Sequence, residues 1–470
     1  MDSAAREGAY ADVRFVRSRA ERISTRNGEI DELHHSEDEG IGVRVRVGGA
    51  WGFAATGDTS REAAGDALAR ALAIARAQPA VAETPLASEP PARGRHRAGE
   101  GTNAFEIPLE RKLERLLAAD AALGSDPRLS LRQAHFVAYA FDTLFASTDG
   151  ALYEQSVIEC GGGLSAIATE DDEVQVRSFP GSHRGDTRQA GYEHFDAMPL
   201  VDEAPRVADE ALALLSAADC PSTTTTVILD GEQLALQVHE SVGHAVELDR
   251  ILGAEASYAG TSWVVPGDLG RLRYGAELMN VTADATTRGG LGSYRWDDEG
   301  VEGRALPIVA DGVLRGFLSG RESAAQVGLD RSAGCMRAQG FARQPIVRMT
   351  NVNLEPGDAG SLDDLIASTE RGIYLETNKS WSIDQRRLHF QFGTEIGWEI
   401  ENGERRRMLR NPTYAGVTPN FWAGLDAICS PSEWKLWGVL NCGKGEPGQA
   451  MHVSHGTAPA RFRDVQVGIA

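Results

Sequence analysis

Beyond Ser222 the chain is cut into short apolar segments by turn residues, and that pattern leaves room for little except sheet. Asp311-Gly312 stands between Leu306–Val309 and Val313–Leu318, and Asn402-Gly403 follows Ile396–Ile400. Asp-Gly and Asn-Gly pairs supply the positive φ angles of two-residue hairpin turns. The stretch 222–470 therefore reads as a β-rich domain of mostly antiparallel strands. One helix interrupts it, from about Gly231 to Leu248, after a short Val227–Leu229 strand.

The N-terminal half mixes helices with antiparallel strands, so the fold class expected for the whole is α+β. In 1–104, Ile41, Val43, Val45 and Val47 alternate with polar or small residues, the period of a half-buried strand. A helix follows from about Ser60 to Ala77. Thr59 and Glu62 have capping-box spacing, and Ala64, Leu68, Ala71, Leu72 and Ala75 form its apolar stripe. Pro79 to Asn103 shows no periodicity and reads as a linker. The middle segment, 105–221, starts with a helix near Pro108 and continues with strands at Ala134–Phe145 and Ala151–Ile158 around Ser147-Thr148-Asp149-Gly150. It ends with a helix from about Pro205 to Ala218, before Asp219-Cys220-Pro221.

With 470 residues the chain has material for two or three domains. The 47 Lys+Arg against 68 Asp+Glu leave a net charge of −21, which argues against a nucleic-acid-binding surface. The one basic run, Arg93-Gly94-Arg95-His96-Arg97, is too short to make such a domain. Five scattered cysteines without a CxxC pair fit a reducing compartment. The start, Met1 to Val13, has no apolar segment of a secretory signal, and no run approaches a membrane span. The expectation is a cytoplasmic protein with neither membrane nor nucleic acid as partner.

Most of the chemistry is concentrated in Val238-His239-Glu240-Ser241-Val242-Gly243-His244-Ala245-Val246-Glu247. Two histidines flanking a glutamate on a helix are similar to the zincin pattern, in which two imidazoles hold zinc and the glutamate works on water. The zincin histidines, however, are four apart, about 40° around a regular helix, whereas His239 and His244 are five apart, about 140°. A π-bulge would bring them onto one face, and Gly243 offers a second way to loosen the backbone. A hydrogen-bonded histidine pair on an amphipathic helix is the other reading, and spacing leaves both open.

A catalytic zinc site takes three protein ligands. The later candidates are His389, Cys442, His452 and His455. Cys442 ends a short apolar run and precedes Gly443-Lys444-Gly445, where glycines allow close approach and Lys444 would lower the thiol pKa. A buried free cysteine is the alternative.

Taken together, these motifs resemble the TldD/PmbA family, in its metal-bearing TldD-like branch. The resemblance runs through Ser36-Glu37-Asp38-Glu39-Gly40-Ile41-Gly42-Val43-Arg44-Val45, the His239–His244 helix and Asp297-Asp298-Glu299-Gly300. It continues through Arg348-Met349-Thr350-Asn351, Arg371-Gly372-Ile373-Tyr374 and Cys442-Gly443-Lys444-Gly445. It implies zinc held by His239, His244 and Cys442, with Glu240 as general base. It implies a zinc-dependent peptidase for unstructured peptides, working as a dimer, either homotypic or with a metal-free PmbA-like paralogue. A regulatory subunit that does no catalysis is the rival, as is a cysteine peptidase with Cys442 as nucleophile.

An extended or unfolded peptide could bind by strand addition. Candidate substrate contacts are His455, Asp298, Arg348 and Asn351, with Asp297 and Glu299 beside them. Thr169-Glu170-Asp171-Asp172-Glu173 reads as a solvated hairpin turn rather than a calcium loop. His34 and His35, adjacent on a strand, would face opposite sides.

Overall fold

A computed structural model describes residues 10–79, 83–182 and 185–468. Most of the stretch Met1 to Val13, read as carrying no secretory signal, lies outside them, as do residues 80–82 of the expected linker.

Strands from both expected N-terminal units lie in one eight-stranded sheet. Tyr10–Arg26 pairs with Glu29–Val47 on one side and with Leu129–Ser147 on the other, both antiparallel. The hairpin at Ser147–Gly150 is present, with Gly150 at φ +89°. The linker reading is corrected in part. Arg93–Ala98 is a strand, parallel to Leu152–Glu170 at the sheet edge. Backbone pairing needs no apolar pattern, so periodicity did not reveal it.

Two helix starts also differ from expectation. The first helix is Arg61–Ala77, and its cap is Ser60, whose hydroxyl accepts from the Ala63 amide, rather than Thr59. Its buried face, Ala67, Ala71 and Ala75, approaches the neighbouring strand so closely that a Cβ on Gly52 would lie 2.0 Å from the Ala71 carbonyl oxygen. The last N-terminal helix is Leu200–Leu214 and carries Pro205 inside it. Proline at that position forfeits one bond, to the Val201 carbonyl. Val201 is 43% exposed, so water can take that carbonyl.

The C-terminal part holds two large sheets and a small pair, Met336–Arg337 with Ile346–Val347. Arg371–Ile383, Thr223–Leu229, Ala460–Val467, Thr413–Val417 and His389–Glu401 pair in that order. His389–Glu401 then pairs back with Arg371–Ile383, so the five strands close into a barrel. Asp311-Gly312 and Asn402-Gly403 both make their turns with positive φ at both residues. The other sheet has six strands and ends in Asn351–Leu354, Gln449–Thr457 and Lys435–Lys444, the last at its edge. The helix that begins at Gly231, capped by Asp230, leaves the barrel strand Thr223–Leu229 and runs into the core between the sheets. Leu234, Val238, Val242, Ala245 and Val246 bury there with barrel and sheet side chains. No helix among the described residues is long and apolar enough to cross a membrane.

Candidate metal centre

The helix changes geometry where the histidines sit. Gly231–Val238 is α-helical, His239–Gly243 is a π turn and His244–Val246 is 3₁₀. The His244 amide bonds back to the His239 carbonyl, five residues earlier, which is the π pattern. One extra residue in the turn brings both imidazoles to one side, with ring centroids 4.9 Å apart at 90°. Carbonyls displaced by the change find side-chain donors. The Ser241 hydroxyl donates to the Gln237 carbonyl at 2.6 Å and Tyr274 Oη donates to the Ser241 carbonyl at 2.6 Å. Gly243 has an ordinary φ of −51°, so it does not serve by adopting an unusual backbone. It serves by leaving room, since a Cβ there would lie 2.2 Å from Met349 Sδ.

Cys442 reaches the same point from the edge strand. One donor atom each from His239, His244 and Cys442 lies within 4.8 Å of the others, and Cys442 Sγ is 3.7 Å from His244 Nε2. All three side chains are buried. His455 Nδ1 donates to the Val352 carbonyl at 2.8 Å, which leaves its Nε2 to accept from His239 Nδ1 at 2.7 Å. His244 Nδ1 donates to Glu247 Oε2 at 2.8 Å. With both Nδ1 atoms occupied, each ligand histidine presents its Nε2 lone pair inward. Outer partners impose this tautomer on metal-binding imidazoles.

The electrostatics suit a soft divalent cation. Burial raises the Cys442 thiol, but His239, Arg348 and His244 outweigh it, and its pKa lies well below the usual thiol value. Burial holds His244 well below the usual imidazole value, so it stays neutral. Burial lowers His239 too, but Cys442 and Glu240 more than offset it, and the net direction is upward. Negative charge that retains a proton there also retains a metal. A thiolate and two neutral imidazoles form a donor set that zinc accepts.

Lys444 has a different role from the one expected. Its ammonium sits 3.3 Å from Glu247 and 2.7 Å from Asp249, so it balances the carboxylate behind His244. The cation acting on Cys442 is Arg348, which donates to the Cys442 carbonyl and, at 3.1 Å, to that of Gln449.

Glu240, 7% exposed, turns toward the hairpin connection after Ile383, where the Arg387 guanidinium donates to its Oε2. Sequence reasoning missed Arg387, 147 residues away with no local motif. It also gave Glu247 no role, although a carboxylate three residues after a ligand histidine was a usable signal.

The expected substrate contacts are placed differently. Arg348, Asn351 and His455 are fully buried. Asn351 accepts from the Gly292 amide and donates to the Asp284 carbonyl, a loop-holding role. His455 orients His239 and has no surface to offer a peptide. Asp298 pairs with Arg14 at 3.3 Å, while Glu299 pairs with Arg44 at 3.2 Å, so this turn joins the N-terminal sheet to the C-terminal domain. Asp297 organises the turn by accepting from the Glu299, Val301 and Met336 amides. Asp298 does line a cavity of about 540 Å³ with His452, which binds Glu159 at 2.6 Å. None of His239, Glu240, His244 and Cys442 lines that cavity. His389 is exposed at the barrel rim and is no part of the cluster.

His239, His244 and Cys442 form a group that could hold a metal ion, and comparison with known proteins gives the family. Three family models match: PmbA/TldA metallopeptidase domain 1 at residues 11–75, the central domain at 103–217 and the C-terminal domain at 222–469. The chain belongs to the PmbA/TldD metallopeptidase family. A metalloprotease of Methanothermobacter thermautotrophicus is 28% identical, over 98% of this chain and 95% of that protein. A zinc metalloprotease TldD homolog of Saccharolobus solfataricus is 26% identical over 98% and 96%. Among solved structures, a putative modulator of a DNA gyrase from Thermotoga maritima shares the fold, with a TM-score of 0.77 at 17% identity, covering 99% of this chain and 97% of that one. TldE from Thermococcus kodakarensis gives 0.72 at 16%, covering 97% and 96%.

Proposed function

We propose that this protein is a zinc-dependent peptidase that hydrolyses peptide bonds of unstructured peptides or small unfolded proteins. The observation that carries this reading is Glu240, a carboxylate next in sequence to His239 on the π turn that brings the His239 and His244 donor atoms together with that of Cys442. His239, His244 and Cys442 would hold the zinc, which supplies Lewis-acid polarisation of a water and of the scissile carbonyl. Glu240 takes the proton of the attacking water and passes it to the leaving amine. Glu247 and His455 keep the two imidazoles in the tautomers that leave Nε2 free.

The strand Lys435–Lys444 is outermost in its sheet, so a peptide added along that edge would run beside Cys442. Such pairing reads backbone rather than sequence, which suits unfolded substrates. A dimer, with a second copy or with a metal-free PmbA-like paralogue, and a cytoplasmic location belong to the same reading. The five cysteines are unpaired, in keeping with a reducing compartment.

Metal analysis and peptide cleavage test this together. The expected result is about one zinc per chain, cleavage of an unfolded peptide that a chelator stops, and a Glu240→Gln protein that keeps its zinc but does not cleave. Cys442→Ala should lose most of the metal. A zinc-loaded wild-type protein, alone or with its paralogue, that cleaves no peptide would favour the regulatory role instead.

A further inference from the structure

Arg387 holds the general base in this structure, yet most of its guanidinium is unused. It sits in the connection between the barrel strands Arg371–Ile383 and His389–Glu401, with φ +62°. That connection is firmly anchored. Asp384 accepts from the Leu388 and His389 amides at 2.8 and 3.2 Å. Thr418 Oγ1 donates to the Arg387 carbonyl at 2.8 Å, and Arg250 donates to the Gln385 carbonyl at 2.7 Å. The side chain is therefore presented from a fixed base, 15% exposed.

Of its five donors, Nη1 alone has a partner among the described residues, the Glu240 carboxylate; Nε is buried and has none. The other cations around the centre spend their terminal nitrogens elsewhere. Lys444 is held by Glu247 and Asp249, and Arg250 by Glu255 and the carbonyls of Ala259, Thr261 and Gln385, while Arg348 spends both Nη atoms on the Cys442 and Gln449 carbonyls and keeps only a buried Nε without a partner. Among the described residues, Arg387 is the cation in contact with Glu240, and its Nη2 and Nε have no partner there. A guanidinium fork matches a carboxylate in two-point contact, and its present contact shows that a carboxylate reaches it from the site side.

We infer that Arg387 is a carboxylate subsite beside the metal centre, taking an acidic side chain or the C-terminal carboxylate of the substrate. Binding of that carboxylate exchanges it for Glu240 and frees the general base to meet the water. A peptide without a carboxylate in this position leaves the clamp closed. The inference rests on the peptidase reading for its substrate, but its test reads binding and so can fail independently of it. The overall charge of −21 repels acidic peptides at long range, so the selectivity must come from this one contact.

The test uses the full-length zinc-loaded protein and fluorescently labelled ten-residue unstructured peptides. One Glu or Gln is moved along the sequence, and the C-terminus is free or amidated. Anisotropy titrations with Glu240→Gln, which does not turn over, should show one position where the carboxylate tightens binding about tenfold, the size expected for a charge-assisted pair. Sensitivity to amidation alone would assign the C-terminal carboxylate as the ligand; sensitivity to an internal Glu would assign a side chain. The preference should vanish in Glu240→Gln/Arg387→Gln and turn toward Lys at that position in Glu240→Gln/Arg387→Glu. Because removing Glu240 removes the competitor, acidic peptides should also bind Glu240→Gln more tightly than they bind the wild-type protein held at low temperature. Glu-to-Gln and free-to-amidated binding ratios that are both the same with and without Arg387 would overturn the inference. Peptides that bind with this selectivity but are never cut would overturn the peptidase reading and leave the subsite standing.

Discussion

His455 Nε2 accepts from His239 Nδ1 at 2.7 Å, and the acceptor is neutral because burial and the neighbouring His239 keep its pKa well below the usual value. A protonated His455 would have nothing to accept with, and His239 would lose the partner that fixes its tautomer. His455→Ala should therefore weaken zinc binding by about 10- to 100-fold, read by competition with a chromogenic chelator. Unchanged affinity would show that the strand alone positions the ring.

Lys444 stands among carboxylates with no exposed side-chain surface, 3.3 Å from Glu247, 2.7 Å from Asp249 and 3.7 Å from Glu255. Lys444→Met keeps the volume and removes the charge. The uncompensated carboxylates should cost about 3–5 kcal/mol, measured by urea denaturation of the metal-free protein. A variant as stable as wild type would mean that Arg250 suffices for the cluster.

Gly243 leaves the space that Met349 Sδ occupies. Gly243→Ala should destabilise the fold by about 1–3 kcal/mol through overpacking and lower zinc affinity by shifting the π turn. Adding Met349→Ala opens the space again. The double variant should recover zinc affinity, though not the packing that Met349 supplies. No recovery in chelator competition would place the strain elsewhere.

A buried ion cluster joins the N-terminal sheet to the barrel. Arg177, fully buried on the strand Glu173–Phe179, contacts Glu210 at 2.9 Å and Glu395 at 3.2 Å and also pairs with Glu376. Burial pushes Glu395 up to about 8 despite Arg177. A carboxyl that holds its proton more tightly when folded stabilises the fold below its unfolded pKa. That stability is lost as pH rises through the folded value. Between about pH 4.3 and 8 the loss is up to about 1.4 kcal/mol per pH unit. Glu395→Gln mimics the protonated form and should flatten this slope in thermal melts taken across pH 5–9. An unchanged slope would assign the proton to another member of the cluster.

What the sequence could show is what neighbouring residues decide among themselves. The turns at Asp311-Gly312 and Asn402-Gly403 follow from φ preferences of single residues. The five-residue spacing of His239 and His244 left a π turn and a hydrogen-bonded pair on a regular helix both open, and the π turn is present. Family resemblance supplied Cys442, which no local rule could tie to a helix 198 residues away. Tertiary structure decided the rest. His455 and Arg348 changed from substrate contacts to supports, Lys444 went to Glu247 rather than Cys442, and Arg387 entered the site unannounced. The physical reason is shared. Turn and helix preferences act over a few residues, whereas a buried charge takes whichever partner the folded chain places within about 3 Å. These partners come from separate sheets and from the closed barrel, and only the packing of those elements brings them together.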